Sequence, residues 1–242
     1  MMRTLAVSAA ALFLLGGCGS ADPEEKPAAE SGSTAGTATV GGCAADSQEV
    51  TGAKTVAGVD LDGDGQTEAV KLTADGGKCP GLLFAKQGDG YVVTKAAVPA
   101  PPVASAFGVA APGQDAQLLV TRQEHPRGGF QLRVYAAHDG ELVELKHGGE
   151  TLFPFVATDV EEHPASIDCA DDGIVVTEAV PHQPVGVVAA WDVQRTTYTL
   201  EDGKVTAGPT DEVADNVLPK QLAGKYPDLV EHAAFASCRA PA

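Results

Sequence analysis

From about residue 50 onward, short apolar runs with polar residues at alternate positions are separated by Gly, Asp-Gly and Pro. Alternation with a period of two is typical of β-strands that bury one face, and the separating residues are typical of turns. The pattern predicts an all-β domain over residues 43–212. It changes in residues 213–242, where Pro227 and the apolar residues after it at helical spacing predict a short C-terminal helix packed on the domain.

The predicted strands fall into three repeats of about four antiparallel strands each. The first two repeats align turn by turn, since Gly129 follows Gly81 by 48 residues and Gly140 follows Gly90 by 50. A looser third repeat covers residues 173–207. A period near 50 residues with four short strands is typical of a β-propeller blade. Three blades are fewer than the roughly four to eight of closed propellers, so the sheets are expected to form an incompletely closed propeller, a barrel-like arrangement or a sandwich.

The N-terminal residues have the features of a secretion signal. Basic Met1–Arg3 precedes an apolar run, Leu5–Leu15, that is too short to cross a bilayer as a mature helix. The segment that follows, Leu15-Gly16-Gly17-Cys18, resembles the lipobox of bacterial lipoproteins. This resemblance implies that residues 1–17 are a signal peptide and that Cys18 is lipidated and becomes the new N-terminus. An ordinary secretory signal that is cleaved elsewhere is the alternative.

The composition of the next segment predicts a linker, and the net charge of the chain limits its possible partners. Residues 18–42 contain almost no large apolar residue, which predicts a flexible linker between the lipid anchor and the domain. The formal net charge of the chain is −17. Because such a surface repels nucleic acid and anionic lipid headgroups, we expect no nucleic-acid partner and membrane contact only through the lipid.

Four cysteines follow Cys18, namely Cys43, Cys79, Cys169 and Cys238. An even number outside the reducing cytoplasm predicts two disulfides. Of the three possible connectivities we favour Cys43–Cys79 with Cys169–Cys238, because each bond would then hold a terminal segment against the body of the domain.

The segment with the most specific chemistry is the nonapeptide DLDGDGQTE at residues 60–68. Its oxygen donors are the side chains of Asp60, Asp62, Asp64 and Glu68 and the backbone carbonyl of Gln66. Alternate residues can direct these oxygens at one Ca²⁺ ion, and the glycine at position 6 permits the sharp turn. Three alternating aspartates repel one another unless a cation lies among them, so the sequence predicts one bound calcium ion. A solvated Asp-Gly turn between two strands is the alternative.

The flanking residues distinguish between families of calcium loop. An EF-hand requires Glu at position 12 and a helix on each side, whereas Lys71 occupies this position and both flanks have strand patterns. The loop instead resembles that of FG-GAP (VCBS) repeats, as in integrin α-subunit propellers, with Glu68 where that family usually has Asp. The aligned positions of the second repeat carry no carboxylate (they are Gly108, Ala110, Pro112 and Ala116), which predicts one ion rather than an array. Together with the lipobox and the Ala- and Gly-rich composition, the chain resembles secreted lipoproteins of the actinobacterial type.

Three histidines form a second candidate site. His125 and His182 lie in corresponding turns of the second and third repeats, and His163 lies on the link between these repeats. In a propeller these turns would share the face opposite the calcium loop, where converging histidines could bind a transition metal or act as an acid–base pair. Alternatively, the His-Pro and Pro-His pairs simply suit exposed turns.

The sequence therefore predicts a lipid-anchored, extracytoplasmic, calcium-binding β-repeat protein. It carries no G-x-S-x-G, H-E-x-x-H, Walker A or G-x-G-x-x-G motif, which favours a non-enzymatic, monomeric interaction module for a protein or cell-envelope ligand. An extracytoplasmic hydrolase or metal-dependent enzyme that uses His125, His163 and His182 is the alternative, and a structural envelope protein braced by calcium is a third possibility.

Overall fold

Strands dominate the computed structural model of the protein. It describes residues 39–40, 42–50, 52–74, 77–95, 103–126, 128–156, 164–171, 173–183 and 190–238. The predicted signal peptide, Cys18 and His163 lie outside these residues. Within the described ranges, no helix is both long enough and apolar enough to span a bilayer.

In chain order the strands are β1 (Thr39–Val40), β2 (Cys43–Ala44), β3 (Lys54–Val59), β4 (Glu68–Leu72), β5 (Leu82–Gln87), β6 (Gly90–Lys95), β7 (Val103–Ala110), β8 (Gln117–Glu124), β9 (Phe130–His138), β10 (Glu141–Glu144), β11 (Lys146–His147), β12 (Glu150–Thr151), β13 (Ala165–Ala170), β14 (Gly173–Pro181), β15 (Trp191–Glu201) and β16 (Lys204–Val217). Helices α1 (Pro219–Lys225) and α2 (Pro227–Val230) follow, and a 3-10 turn covers Gln48–Val50. The all-β prediction is therefore confirmed, as is helix at the C-terminus, where two short helices stand in place of one. The last strand extends five residues into the predicted tail.

The first eight long strands form one sheet in the order β3-β4-β5-β6-β10-β9-β8-β7. Two antiparallel meanders make up this sheet, and a single parallel pairing between Val93 of β6 and Glu141 of β10 joins them. The outer strands β3 and β7 approach each other, so the sheet is nearly closed and barrel-like. Three propeller blades are not confirmed, because the first two meanders share hydrogen bonds within one sheet instead of standing as separate blades.

Side-chain alternation separates two cores on opposite sides of the barrel wall. In β8, Leu119 packs inside the barrel, while its neighbours Leu118 and Val120 pack outside it, as the period of two requires. The outer core is completed by the third meander, the separate sheet β13-β14-β15-β16. One face of this third sheet thus packs on the barrel, and its other face packs against α1 and α2 through residues such as Leu222 and Leu229.

Two disulfides connect the terminal segments to this framework. Cys43–Cys79 attaches the small β1–β2 hairpin to the loop before β5, and Cys169–Cys238 attaches the segment after α2 to β13. The predicted connectivity is confirmed, with Cα–Cα distances of 5.7 and 5.9 Å. Each bond removes conformational freedom from the unfolded chain, which stabilises the termini against fraying.

Candidate metal centre

The acidic loop connects β3 to β4 and is organised by its first carboxylate. Asp60 is only 9% exposed. Its Oδ1 accepts a hydrogen bond from the backbone N–H of Gly63 at 2.8 Å, and its Oδ2 accepts one from the N–H of Gly65 at 3.0 Å. These bonds fold the loop around the Asp60 carboxylate in the way that Asx turns stabilise reversals of the chain.

The next two aspartates also accept bonds from the loop backbone. Asp62 Oδ1 accepts from the N–H of Asp64 at 3.3 Å. Asp64 accepts from Gln66 twice, from the backbone N–H at 2.7 Å and from the side-chain Nε2 at 3.4 Å. Both aspartates are exposed to solvent, so they can bind an ion without first losing a buried partner.

Glu68, the first residue of β4, reaches back across the loop. Its Oε2 accepts a hydrogen bond from the backbone N–H of Leu61 at 2.7 Å. Burial raises the pKa of the Glu68 carboxyl, and the nearby charges of Asp62, Asp60 and Asp64 raise it further against the opposing effect of the Leu61 bond. The Glu68 side chain is thus long enough to reach the backbone of Leu61 at the start of the loop.

Three of the predicted ligands converge. One carboxylate oxygen from each of Asp60, Asp62 and Glu68 lies within 4.8 Å of the other two. Asp64 is not part of this mutually close group, and its carboxylate instead accepts a hydrogen bond from the backbone N–H of Gln66. Converging carboxylate oxygens of this kind fit a hard divalent cation, and Ca²⁺ tolerates the irregular geometry that such a loop provides.

The loop also contacts the second meander, at the place where the barrel closes. The backbone N–H of Asp60 donates to Gln117 Oε1 at 3.1 Å, and its carbonyl accepts from the Gln117 N–H at 2.6 Å. Gly63 has a φ of 75°, and a Cβ there would lie 2.8 Å from the Cβ of Asp115 and 2.9 Å from the N of Ala116. A Cβ on Gly108 would lie 2.5 Å from Gln117 Oε1, so this glycine leaves room for the Gln117 side chain.

Sequence reasoning missed these contacts to the loop. The alignment of the repeats treats the second as an equivalent of the first, and in it Gly108 and Ala116 are only positions that lack carboxylates. In the structure the two segments lie against each other. Gly108, which lies within strand β7, is the one signal for this contact in the sequence, since a glycine in a strand often marks a close approach of two chain segments.

Among the described residues, the predicted histidine site does not form a cluster of metal-ligating side chains. His125 follows β8 at the end remote from Gln117 and makes an edge-on ring contact with Phe155 at 5.5 Å. His182 Nδ1 lies 2.7 Å from Asp192 Oδ1. Among the described residues, neither histidine belongs to a group of three metal-ligating side chains within 4.8 Å of one another.

Asp192 has two partners that stabilise its ionised form. The backbone N–H of Asn216 donates to its Oδ1 at 2.9 Å, and this bond, followed by the bond with His182, lowers the pKa of Asp192. The carboxylate thereby holds the His182 ring in one orientation. A second acidic group, Asp168 with Cys169 and Cys238, does not form a metal site because its sulfur atoms are bonded to each other.

Comparison of the chain with protein-family models, curated proteins and solved structures gives no match.

Proposed function

We propose that this chain is a calcium-braced, extracytoplasmic binding module. The observation that carries the proposal is the convergence of Asp60, Asp62 and Glu68 within 4.8 Å in a loop that follows the FG-GAP pattern. These three carboxylates would hold one Ca²⁺ ion, and loop oxygens from Asp64 and Gln66 are the further donors that the pattern offers. When bound, the ion neutralises carboxylates that otherwise repel one another.

The position of the loop supports a bracing role rather than a catalytic one. The side chain of Asp60 accepts hydrogen bonds within the acidic loop, and its backbone N–H donates one to Gln117. An ion that fixes the loop thus also favours the closed arrangement of the first and second meanders. The proposed ligand-binding surface would be presented by a barrel whose closure depends on calcium.

The N-terminal residues support the proposed location. A lipobox-like Leu15-Gly16-Gly17-Cys18 after a short apolar run favours removal of residues 1–17 and lipidation of Cys18. The domain would then stand at the outer side of the cell membrane, as a monomer, and meet a protein or an envelope component. Two disulfides agree with an oxidising location.

Thermal unfolding of the purified protein in EDTA, in excess calcium and in excess zinc tests this proposal. A ligand that binds only the folded state raises the melting temperature, so calcium is expected to raise it and EDTA to reverse the effect. An identical melting temperature in EDTA and in calcium would contradict the proposal.

A metal-dependent enzyme is the second candidate, and the orientation of His182 by Asp192 is the observation that favours it. A histidine held by a carboxylate is a common arrangement for metal ligands and for general bases. Stabilisation by zinc alone, lost in His182→Gln, would favour this candidate over the binding module.

A further inference from the structure

The third sheet leaves an open groove beside the C-terminal helices. Helices α1 and α2 cover only part of the face that points away from the barrel, and next to them lies a cavity of about 460 Å³. Strands β13, β14 and β15 form its floor, and the α1–α2 junction forms one wall. This volume lies within the range of about 300–1,000 Å³ that is typical of small-molecule sites.

Arg195 lies on the floor of this groove and has no carboxylate partner. Of the other described arginines, Arg122 pairs with Glu124 and Arg133 pairs with Glu144. Arg195, in contrast, makes no ion pair with any described residue. Arg195 is exposed and lines the groove, and its guanidinium carries five N–H donors in a planar fork that fits the two oxygens of a carboxylate.

A second cation lies on the helical wall. Lys225, the last residue of α1, lines the same cavity and also has no ion-pair partner in the described part of the chain. Asp211 is the cross-strand neighbour of Arg195 in β16, yet it does not approach within ion-pair distance. Two cations without an ion-pair partner thus line one groove in a chain with a net charge of −17.

The two acidic residues of the groove have different roles. Asp168 is occupied, because its Oδ1 accepts bonds from the N–H of Cys169 at 2.9 Å, the N–H of Ser237 at 3.1 Å and the hydroxyl of Ser237 at 2.7 Å. It therefore holds the wall of the groove, and it makes no ion pair with Arg195. Asp228, in the first turn of α2, makes no such contact among the described residues and can accept hydrogen bonds from a ligand.

Hydroxyl groups supply the remaining polar surface. Thr177 pairs with Arg195 across the strands, and Thr197 lies two residues along β15 on the same face. Ser166 and Tyr226 add two further hydroxyls to the lining. Such a lining suits a ligand that carries several hydroxyls of its own, since each hydroxyl can both donate and accept.

We propose that this groove binds a sugar acid, a small molecule with one carboxylate and several hydroxyls. Arg195 and Lys225 bind the carboxylate, and Thr177, Thr197 and Asp228 hydrogen-bond the hydroxyls. The groove shares no residue with the acidic loop, so this inference does not depend on calcium binding.

Isothermal titration calorimetry with glucuronate tests the proposal, with glucose and acetate as probes that lack the carboxylate or the hydroxyls. We expect glucuronate to bind measurably at millimolar concentration, and glucose and acetate to bind at least about tenfold more weakly, because a charge-assisted bond contributes that much or more. Titrations in calcium and in EDTA separate this outcome from that of the calcium site.

Three variants identify the groove as the site. Arg195→Gln should weaken glucuronate binding by about tenfold or more, and Thr197→Val should weaken it by several-fold. The matched control is Arg122→Gln, since Arg122 is paired with Glu124 outside the groove. No heat with glucuronate, equal affinity for acetate or glucose, or unchanged binding in a folded Arg195→Gln protein would each overturn the proposal.

Discussion

Asp60 and Gln117 are joined by two hydrogen bonds, although they lie 57 residues apart. The N–H of Asp60 donates to Gln117 Oε1 at 3.1 Å, and the carbonyl of Asp60 accepts from the N–H of Gln117 at 2.6 Å. The side chain of the same Asp60 belongs to the converging carboxylates. The proposed calcium site and the closure of the barrel therefore share a residue, and a change at either is expected to affect the other.

The first prediction concerns the ligands. Asp62→Ala should abolish the calcium-dependent rise in melting temperature, because it removes one of the converging oxygens while changing an exposed side chain. At a calcium concentration about 100-fold above Kd, the native protein should gain about 2.7 kcal/mol, or roughly 5–10 °C. The control is Asp89→Ala, an exposed aspartate in the turn between β5 and β6, which should keep the full calcium response. Retention of that response in Asp62→Ala would argue against the site.

The second prediction follows from the raised pKa of Glu68. A carboxyl whose pKa in the folded state exceeds its pKa in the unfolded state binds more protons when folded, so its ionisation destabilises the fold. The calcium-free protein should therefore lose stability from Glu68 as the pH rises from its ordinary pKa of 4.5 through the raised value. Urea unfolding of wild type and Glu68→Gln across this window measures the difference.

Glu68→Gln retains an oxygen that can accept from Leu61, so its stability should lack this pH-dependent component while the fold persists. Glu141→Gln, at an exposed position in β10, serves as the control. A constant stability difference between wild type and Glu68→Gln over the window would contradict the prediction. Calcium affinity in the wild type should also fall on the acidic side, because protons compete for the same carboxylate.

The third prediction tests the connection between the loop and the barrel. Gln117→Ala removes the acceptor for the Asp60 N–H and should lower the free energy of unfolding by about 1–3 kcal/mol. It should also weaken calcium binding, because Asp60 would be less well positioned. Urea unfolding and calcium titration measure the two effects, with exposed Gln114→Ala as the control. A loss of stability with unaltered calcium affinity would show that the two are not coupled.

The fourth prediction compares two glycines of the loop. Both have positive φ, 75° at Gly63 and 84° at Gly65, so alanine at either should cost about 1–2 kcal/mol of backbone strain. Only at Gly63 would the new Cβ collide with Asp115 and Ala116, whereas the space around Gly65 is open. Gly63→Ala should therefore be clearly the more destabilising in thermal unfolding. Equal losses would mean that the loop does not pack on the second meander as described.

The fifth prediction concerns the anchor. Cys18→Ser should move the protein from the membrane fraction to the soluble fraction of the cell, because serine has no thiol to receive the lipid. Fractionation and immunoblotting of both proteins measure this, and Cys43→Ser distinguishes loss of the anchor from loss of any cysteine. Continued membrane retention of Cys18→Ser would refute the lipid anchor.

Local patterns in the sequence were sufficient for much of this fold. Strands β5, β9 and β14 lie within residues 43–212, where the alternation predicts an all-β domain, because period-two alternation and turn residues act between neighbours in the chain. The disulfide pairing also followed from a simple argument about the terminal segments. The spacing of carboxylates over residues 60–68 was enough to indicate the candidate site.

Only the tertiary structure decided how the meanders combine. The parallel pairing of Val93 with Glu141 places the first two repeats in one nearly closed sheet, and no local pattern encodes a pairing between such distant residues. The same closure brings Gln117 to Asp60. The packing of α1 and α2 on the third sheet likewise forms the groove that Arg195 lines. These contacts depend on which sheet faces become buried together, and burial is decided by the whole chain rather than by any one segment.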